Sequence, residues 1–282
     1  MSMSILSVNC LTQELHSLEW VMGEQVKMPL PDWINEKDLF EAGRRFAKMV
    51  KLFPDALFRI LSLYFRLEAI GLENIPKHGK ALIVPNHSDV FGYDAFMLAE
   101  LIRHRLKRVP RMMAHPFWFN NPFFEAVARS YGIFPADLRE GLKALKHNKL
   151  VIIFPEGADG NFKVSSRMYK LVEFNPGFVP LAIMQKAPVI PTVIIGAEET
   201  HINVAKIDAF KKIFGGPMPV PTGILPRPAK WKIIFLKPID FSKYTKRDIK
   251  DPRFVKEINQ NIRYRIQHVI NKEIKGRDLA FE

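Results

Sequence analysis

The stretch Ala81-Leu82-Ile83-Val84-Pro85-Asn86-His87-Ser88-Asp89-Val90-Phe91-Gly92-Tyr93-Asp94 decides how this chain is read. Its first four residues form a short apolar run, which reads as a strand buried on both faces. Its last residue opens a helical stretch, Asp94 to His104. In open α/β sheets, ligands sit where loops leave the carboxyl ends of strands. A histidine in such a loop can take a proton from a hydroxyl when a carboxylate orients its ring. Asp89 and Asp94 both compete for that place beside His87. As one helix, residues 87–94 would span about 10.5 Å, too far for a hydrogen bond. The segment must therefore fold back for Asp94 to reach the ring, and Gly92 permits such a turn. The same residues also fit a plain surface loop with Asp94 as a helix cap.

Working outward, three more apolar runs read as strands: Val151 to Phe154, Val189 to Ile195 and Trp231 to Leu236. Phe123 to Tyr131, Gly141 to His147 and Phe178 to Lys186 read as helices between them. This alternation predicts an α/β fold, a mixed, mostly parallel sheet flanked by helices. Asp251-Pro252 opens a last helix with a cap and a first-turn proline, and Phe254, Ile258, Ile262, Ile266 and Ile270 form its apolar stripe. Residues 214–229 are dense in Pro and Gly and read as a loop or lid. Before the sheet, residues 38–65 carry apolar residues at helical spacing, interrupted by Pro54 and mixed with Arg44, Arg45, Lys48 and Lys51. Such a segment can lie in a membrane interface or pack as a helical hairpin on the main domain. The chain thus divides into an N-terminal helical region, residues 1–65, and an α/β domain with its C-terminal helix, residues 66–282.

Composition narrows the classes. At 282 residues and 48% hydrophobic, the chain can bury a large core. Its single cysteine, Cys10, excludes an internal disulfide framework and fits a reducing, cytoplasmic compartment. The N-terminus has no basic start and no sustained apolar run, so no secretory signal is expected. Phe53 to Leu72, the most apolar window, contains Asp55, Arg59, Arg66 and Glu68 and does not read as a membrane span. The net charge is +13, split as −4 over residues 1–40 and +17 over the rest. A field of that sign gathers anions: nucleic acid, anionic lipid or a phosphorylated substrate. The run Arg103, Arg105, Lys107, Arg108 and Arg111 could hold phosphates, or simply be a solvated helix end. Phe117, Trp118, Phe119, Phe123 and Phe124 could line a groove for an apolar chain or belong to an ordinary core. His16, His104, His115, His147, His201 and His268 show no evident partner.

A second motif follows the 151–154 strand: Phe154-Pro155-Glu156-Gly157. Asn86-His87 with a following aspartate, and Phe-Pro-Glu-Gly about 70 residues later, resemble the glycerolipid acyltransferases that act on glycerol phosphate, lysophospholipids and acylglycerols. Gly132-Ile133-Phe134-Pro135 and Val189-Ile190-Pro191-Thr192-Val193 agree with two further family blocks. The run from Asn175 to Thr200 resembles the monoacylglycerol and diacylglycerol acyltransferase branch. The likeness covers about residues 66 to 240.

The resemblance implies that His87 is the general base and Asp94 its orienting carboxylate. Phe154, Pro155, Glu156 and Gly157 would bind substrate, with Pro191 in a further block. Two positions depart from the family. Asp159 stands where an arginine is common, and the arginine of the second block falls near Leu138, with Arg139 one residue late. Lys163 and Arg167 are candidates to supply the missing charge. Both departures shift weight towards a neutral acylglycerol or another alcohol as acceptor. The implied reaction is direct acyl transfer from acyl-CoA or an acyl carrier protein to a lipid hydroxyl, with no metal or bound cofactor. N–H groups at the start of the 94–104 helix could stabilise the oxyanion. No Gly-x-Ser-x-Gly elbow is present, which disfavours a serine hydrolase. The implied location is peripheral, on the cytoplasmic face of a membrane, with no nucleic-acid partner. The alternative from another class is a non-catalytic peripheral protein that binds anionic lipid.

Overall fold

Every strand of the central sheet that the sequence marks as apolar is covered on both faces. The computed structural model describes residues 34–50, 53–89, 91–207 and 218–277. Cys10, His16, Val90, the N-terminal stretch and residues 214–217 lie outside the described residues, as does the side chain of Phe117. The chain opens with α1 (Glu36–Val50) and α2 (Phe53–Tyr64), then β1 (Glu68–Ile70), β2 (Ala81–Pro85) and α3 (Tyr93–Leu106). There follow β3 (Arg111–Ala114), α4 (Pro122–Ser130), β4 (Ile133–Pro135), α5 (Leu138–Lys146) and β5 (Leu150–Ile152). Next come α6 (Gly157–Asn161), α7 (Phe178–Gln185), β6 (Val189–Ile195), α8 (Ala197–Thr200) and β7 (Asn203–Ile207). β8 (Met218–Pro221), β9 (Lys232–Phe235) and α9 (Pro252–Glu273) complete the order.

Seven strands form one sheet in the order β1-β9-β6-β2-β5-β3-β4. The five from β6 to β4 run parallel, and β9 pairs antiparallel with β6. The mixed, mostly parallel sheet expected from the sequence is therefore present, with helices ahead of it. Alternation along each strand builds two cores. Leu82, Val84, Val151 and Val193 face one side, against Phe178, Leu181, Ile262 and Ile266 of α7 and α9. Ala81, Ile83, Ile152 and Ile194 face the other, against Phe58 and Leu61 of α2 and Met97, Leu98 and Leu101 of α3.

The structure adds what apolar runs did not reveal. β1, β3 and β4 are three or four residues long, too short for a periodic signal, and β3 begins with Arg111. The Pro/Gly-rich stretch read wholly as loop contains β8, which pairs with β7 in a separate two-stranded ribbon. Pro219 and Pro221 are tolerated there because a two-stranded ribbon always has a free edge. In α9 the buried stripe starts on Val255 and Asn259, while Phe254 and Ile258 are half-buried against the same core.

The connections set the location of the site. After β2 the chain passes over β5 to β3, whereas after β5 it passes over β2 to β6. The helices of these two crossovers, α3 and α7, lie on opposite faces. The carboxyl ends of β2 and β5 thus flank a topological switch point, where a crevice opens.

Candidate active site

The loop after β2 brings His87 and Asp94 together. His87 Nδ1 lies 2.6 Å from Asp94 Oδ2, although seven residues separate them. The reversal runs through Gly92, whose φ of 76° is left-handed and suits a residue without Cβ. Asp94 is fully buried and accepts at both oxygens: Ser88 N donates to Oδ2 at 3.0 Å and Ala95 N to Oδ1 at 2.7 Å. A carboxylate so occupied by donors takes the Nδ1 proton of His87 as an acceptor. Nε2 is then left with its lone pair, the tautomer that a base requires. The imidazole is half-buried and packs on the Phe154 ring, centroids 4.3 Å apart.

The loop after β5 locks onto the same backbone. Glu156 Oε1 accepts the His87 N–H at 2.9 Å, and Oε2 accepts the Val172 N–H at 2.9 Å. Asn86 completes the frame by pairing both ways with the Ile194 backbone, at 3.0 and 2.7 Å. Pro155 is buried and its carbonyl accepts Asn175 N, whereas Gly157 is exposed at the start of α6.

Other candidates are placed differently. Lys163 is buried, 3.0 Å from Glu198 and 3.5 Å from Glu156, so its ammonium is committed within the protein. Burial works against that ammonium, but Glu198 and Glu156 outweigh it and hold its pKa above the ordinary lysine value. Arg139 and Arg167 are exposed. Pro191 is buried within β6, three residues before the Ile194 that Asn86 holds. That is about 10 Å along the strand. It pairs with Val84 of β2 and also lines a surface groove with Leu236, Tyr264 and His268. The N–H groups of Tyr93, Ala95 and Phe96 are taken by Asp89 Oδ1, Asp94 Oδ1 and the Gly92 carbonyl, so the start of α3 does not offer them to an oxyanion.

The basic run after α3 is partly consumed by the fold. Arg103 pairs with Asp55 and Glu100, and Arg108 donates to the Pro76 and Gly79 carbonyls. Among the described residues, Asp55, Glu100 and His104 are the grouping with metal-ligand spacing, and Arg103 sits between their carboxylates. His104 also stacks on Phe58, which gives a role to a histidine that the sequence left unassigned.

His201 is the larger surprise. Its Nδ1 lies 3.3 Å from Asp89 Oδ2 and its Nε2 lies 3.3 Å from the Ile224 carbonyl. Asp89, the competitor for His87, therefore serves His201, and its Oδ1 accepts Phe91 N and Tyr93 N to start α3. No local signal could have paired residues 112 positions apart. Glu198 was also missed, although two adjacent acids directly after an apolar strand point to a buried network.

Residues 66–195 match the Acyltransferase family model. The matched segment runs from β1 to β6 and holds both loops just described. An uncharacterized protein of Mycobacterium tuberculosis is 34% identical over 230 residues, covering 77% of this chain and 64% of its own length. An uncharacterized protein of Mycobacterium leprae is 32% identical over 230 residues, covering 77% and 63%. The chain thus spans a little under two thirds of these relatives. Among solved structures, the 1-acyl-sn-glycerophosphate (LPA) acyltransferase PlsC from Thermotoga maritima matches with a TM-score of 0.53 at 20% identity. That match covers 87% of this chain and 85% of the other, and it shows a shared fold.

Proposed function

We propose that this protein transfers a fatty acyl group from a thioester, acyl-CoA or an acyl carrier protein, to the hydroxyl of a lipid alcohol. The observation that carries this reading is the His87–Asp94 pair at 2.6 Å, at the carboxyl end of β2. The acceptor oxygen attacks the thioester carbonyl as Nε2 takes its proton. The C–S bond then breaks, and the imidazolium returns that proton to the departing thiolate. Asp94 holds the ring and balances the transient positive charge. No acyl-enzyme is needed, because a thiolate already leaves readily.

The acceptor is read as uncharged at its headgroup. The structural neighbour PlsC is, by its name, an acyltransferase of a glycerophosphate, a phosphorylated acceptor. Here Asp159 is exposed two residues beyond Gly157, and Lys163 is occupied by two carboxylates. Those features disfavour a phosphate beside His87 and support an acylglycerol, a long-chain alcohol or a sterol.

Membrane contact is part of the reading. Among the described residues no helix is long and apolar enough to cross a membrane. α2, however, exposes Phe53, Leu57, Ile60 and Leu63 along one face, while Phe58 and Leu61 face the core. Tyr64 donates to the Pro226 carbonyl at 2.7 Å and so joins α2 to the loop that exposes Ile224 and Leu225. His201 ties that loop to the His87 loop. An exposed apolar surface on elements tied to the His87 loop supports extraction of substrate from a lipid interface.

The test is purified protein with one acyl-CoA and a panel of lipid alcohols, alongside His87→Ala. We expect acylation to fall by about 10²- to 10⁴-fold in the variant, with folding and vesicle binding kept. A wild-type protein that binds vesicles yet acylates no acceptor would favour a non-catalytic lipid-binding role. Lysophosphatidate as best acceptor would refute the neutral-headgroup assignment.

A further inference from the structure

The buried lysine behind the site carries more than a charge balance. Glu156 is 4% exposed and Lys163 6% exposed, so both are largely withdrawn from solvent. Both Glu156 oxygens are occupied by main-chain donors, and one of those donors is the N–H of His87 itself. The His87 residue is therefore gripped at two points, its backbone by Glu156 and its ring by Asp94. Glu156 in turn is a buried anion whose remaining partner is Lys163, at 3.5 Å. Lys163 spreads its three N–H bonds over Glu156, Glu198 at 3.0 Å and the Lys170 carbonyl at 3.4 Å. These groups come from the loops after β5 and β6, and through Glu156 they reach the loop after β2. Buried ion clusters of this kind are poor sources of stability, because apolar residues of similar volume do as well. What the cluster does supply is a fixed carboxylate.

We infer that Lys163 is a positioning residue for the His87 base, acting through Glu156. The inference rests on the acyl-transfer reading above. Without the cation, Glu156 is left as an uncompensated buried anion next to a second one, Glu198. It must swing towards water, and the His87 N–H goes with it. A shift of about 1 Å in a reacting group is enough to cost roughly 10² in rate.

The experiment compares wild type, Lys163→Met, and Lys163→Met with Glu198→Gln. Each is followed by kcat, KM, thermal midpoint and hydrogen exchange of the His87 amide. For Lys163→Met we expect a roughly 10²-fold fall in kcat, KM within about threefold, and faster exchange at His87. The double variant has one buried anion fewer, so its thermal midpoint should recover while kcat stays low and His87 exchange stays fast. If kcat recovers along with stability, Lys163 merely neutralises Glu198 and the inference is wrong. A double variant that remains unfolded overturns it too, because Lys163 would then hold the fold and not the site. If wild-type protein shows no acyl transfer, the proposed function fails separately. The exchange measurement still decides, since unchanged protection of the His87 amide would refute the positioning role.

Discussion

Two aspartates five residues apart in one loop divide two jobs between them. Asp94 meets His87, whereas Asp89 caps α3 and meets His201. Burial pushes the Asp89 carboxyl above the ordinary aspartate value, opposed by its hydrogen bond to His201 and aided by the nearby Asp94. A carboxyl raised on folding binds more protons in the folded state than in the unfolded one. Its contribution to stability is therefore largest at low pH and declines as pH climbs from about 4 through the raised value. Asp89→Asn keeps an oxygen for Phe91 N and Tyr93 N and presents an amide to His201, without a titrating group. The variant should gain stability relative to wild type between about pH 4 and pH 7, read by urea unfolding at both ends. A difference that does not change with pH would show that the buried carboxyl is not the cause. Of the two pairings, the one between His87 and Asp94 could be read in part: the loop offered Asp89 and Asp94 alike, and the family resemblance pointed to Asp94. The pairing with His201 could not, because folding alone brings it there.

The elements meet through a few tight contacts. Gly43 of α1 faces α4 so closely that a Cβ would stand 2.4 Å from the Phe123 carbonyl oxygen and 3.0 Å from Ala126 Cβ. Phe46 packs on the Phe123 ring beside it, centroids 5.7 Å apart. Gly43→Ala gains about 1 kcal/mol of helix propensity but forces the two helices apart. Overpacking of that kind costs typically 1–3 kcal/mol. We expect a lower thermal midpoint and faster proteolysis within residues 36–50. A raised midpoint would mean that α1 does not pack on α4 in solution. The long apolar strands, β2 and β6, were legible because both faces are buried and the run is continuous. β3 and β4 were not. Three or four residues carry no period, and their pairing is set by register against neighbours far away in sequence.

Over the whole molecule, the proposed membrane contact would draw on both the charge of +13 and the apolar face of α2. Leu63 is 80% exposed and Leu225 84% exposed, so neither is held by internal packing. Leu63→Glu should leave thermal stability within about 0.5 kcal/mol, as an exposed substitution does. It should weaken binding to vesicles containing anionic lipid by roughly tenfold or more, as burial of one leucine is worth about 1.5–3 kcal/mol. Wild-type binding should also weaken as salt rises, since screening cuts the attraction between basic groups and lipid. Sedimentation with vesicles at low and high salt checks both, and an unaffected Leu63→Glu would move the docking face elsewhere. Fold class and the order of the main elements could be read in the chain, because each depends on local pattern, apolar runs and turn residues, whereas the loop offered His87 two carboxylates and folding joined it to Asp94. Sheet order, the burial of Lys163 between Glu156 and Glu198, and the grip of Glu156 on the His87 backbone came only with folding. The Lys163–Glu198 and Glu156–His87 contacts join residues 35 and 69 positions apart, and their geometry follows from how the strands stack side by side rather than from any spacing along the chain.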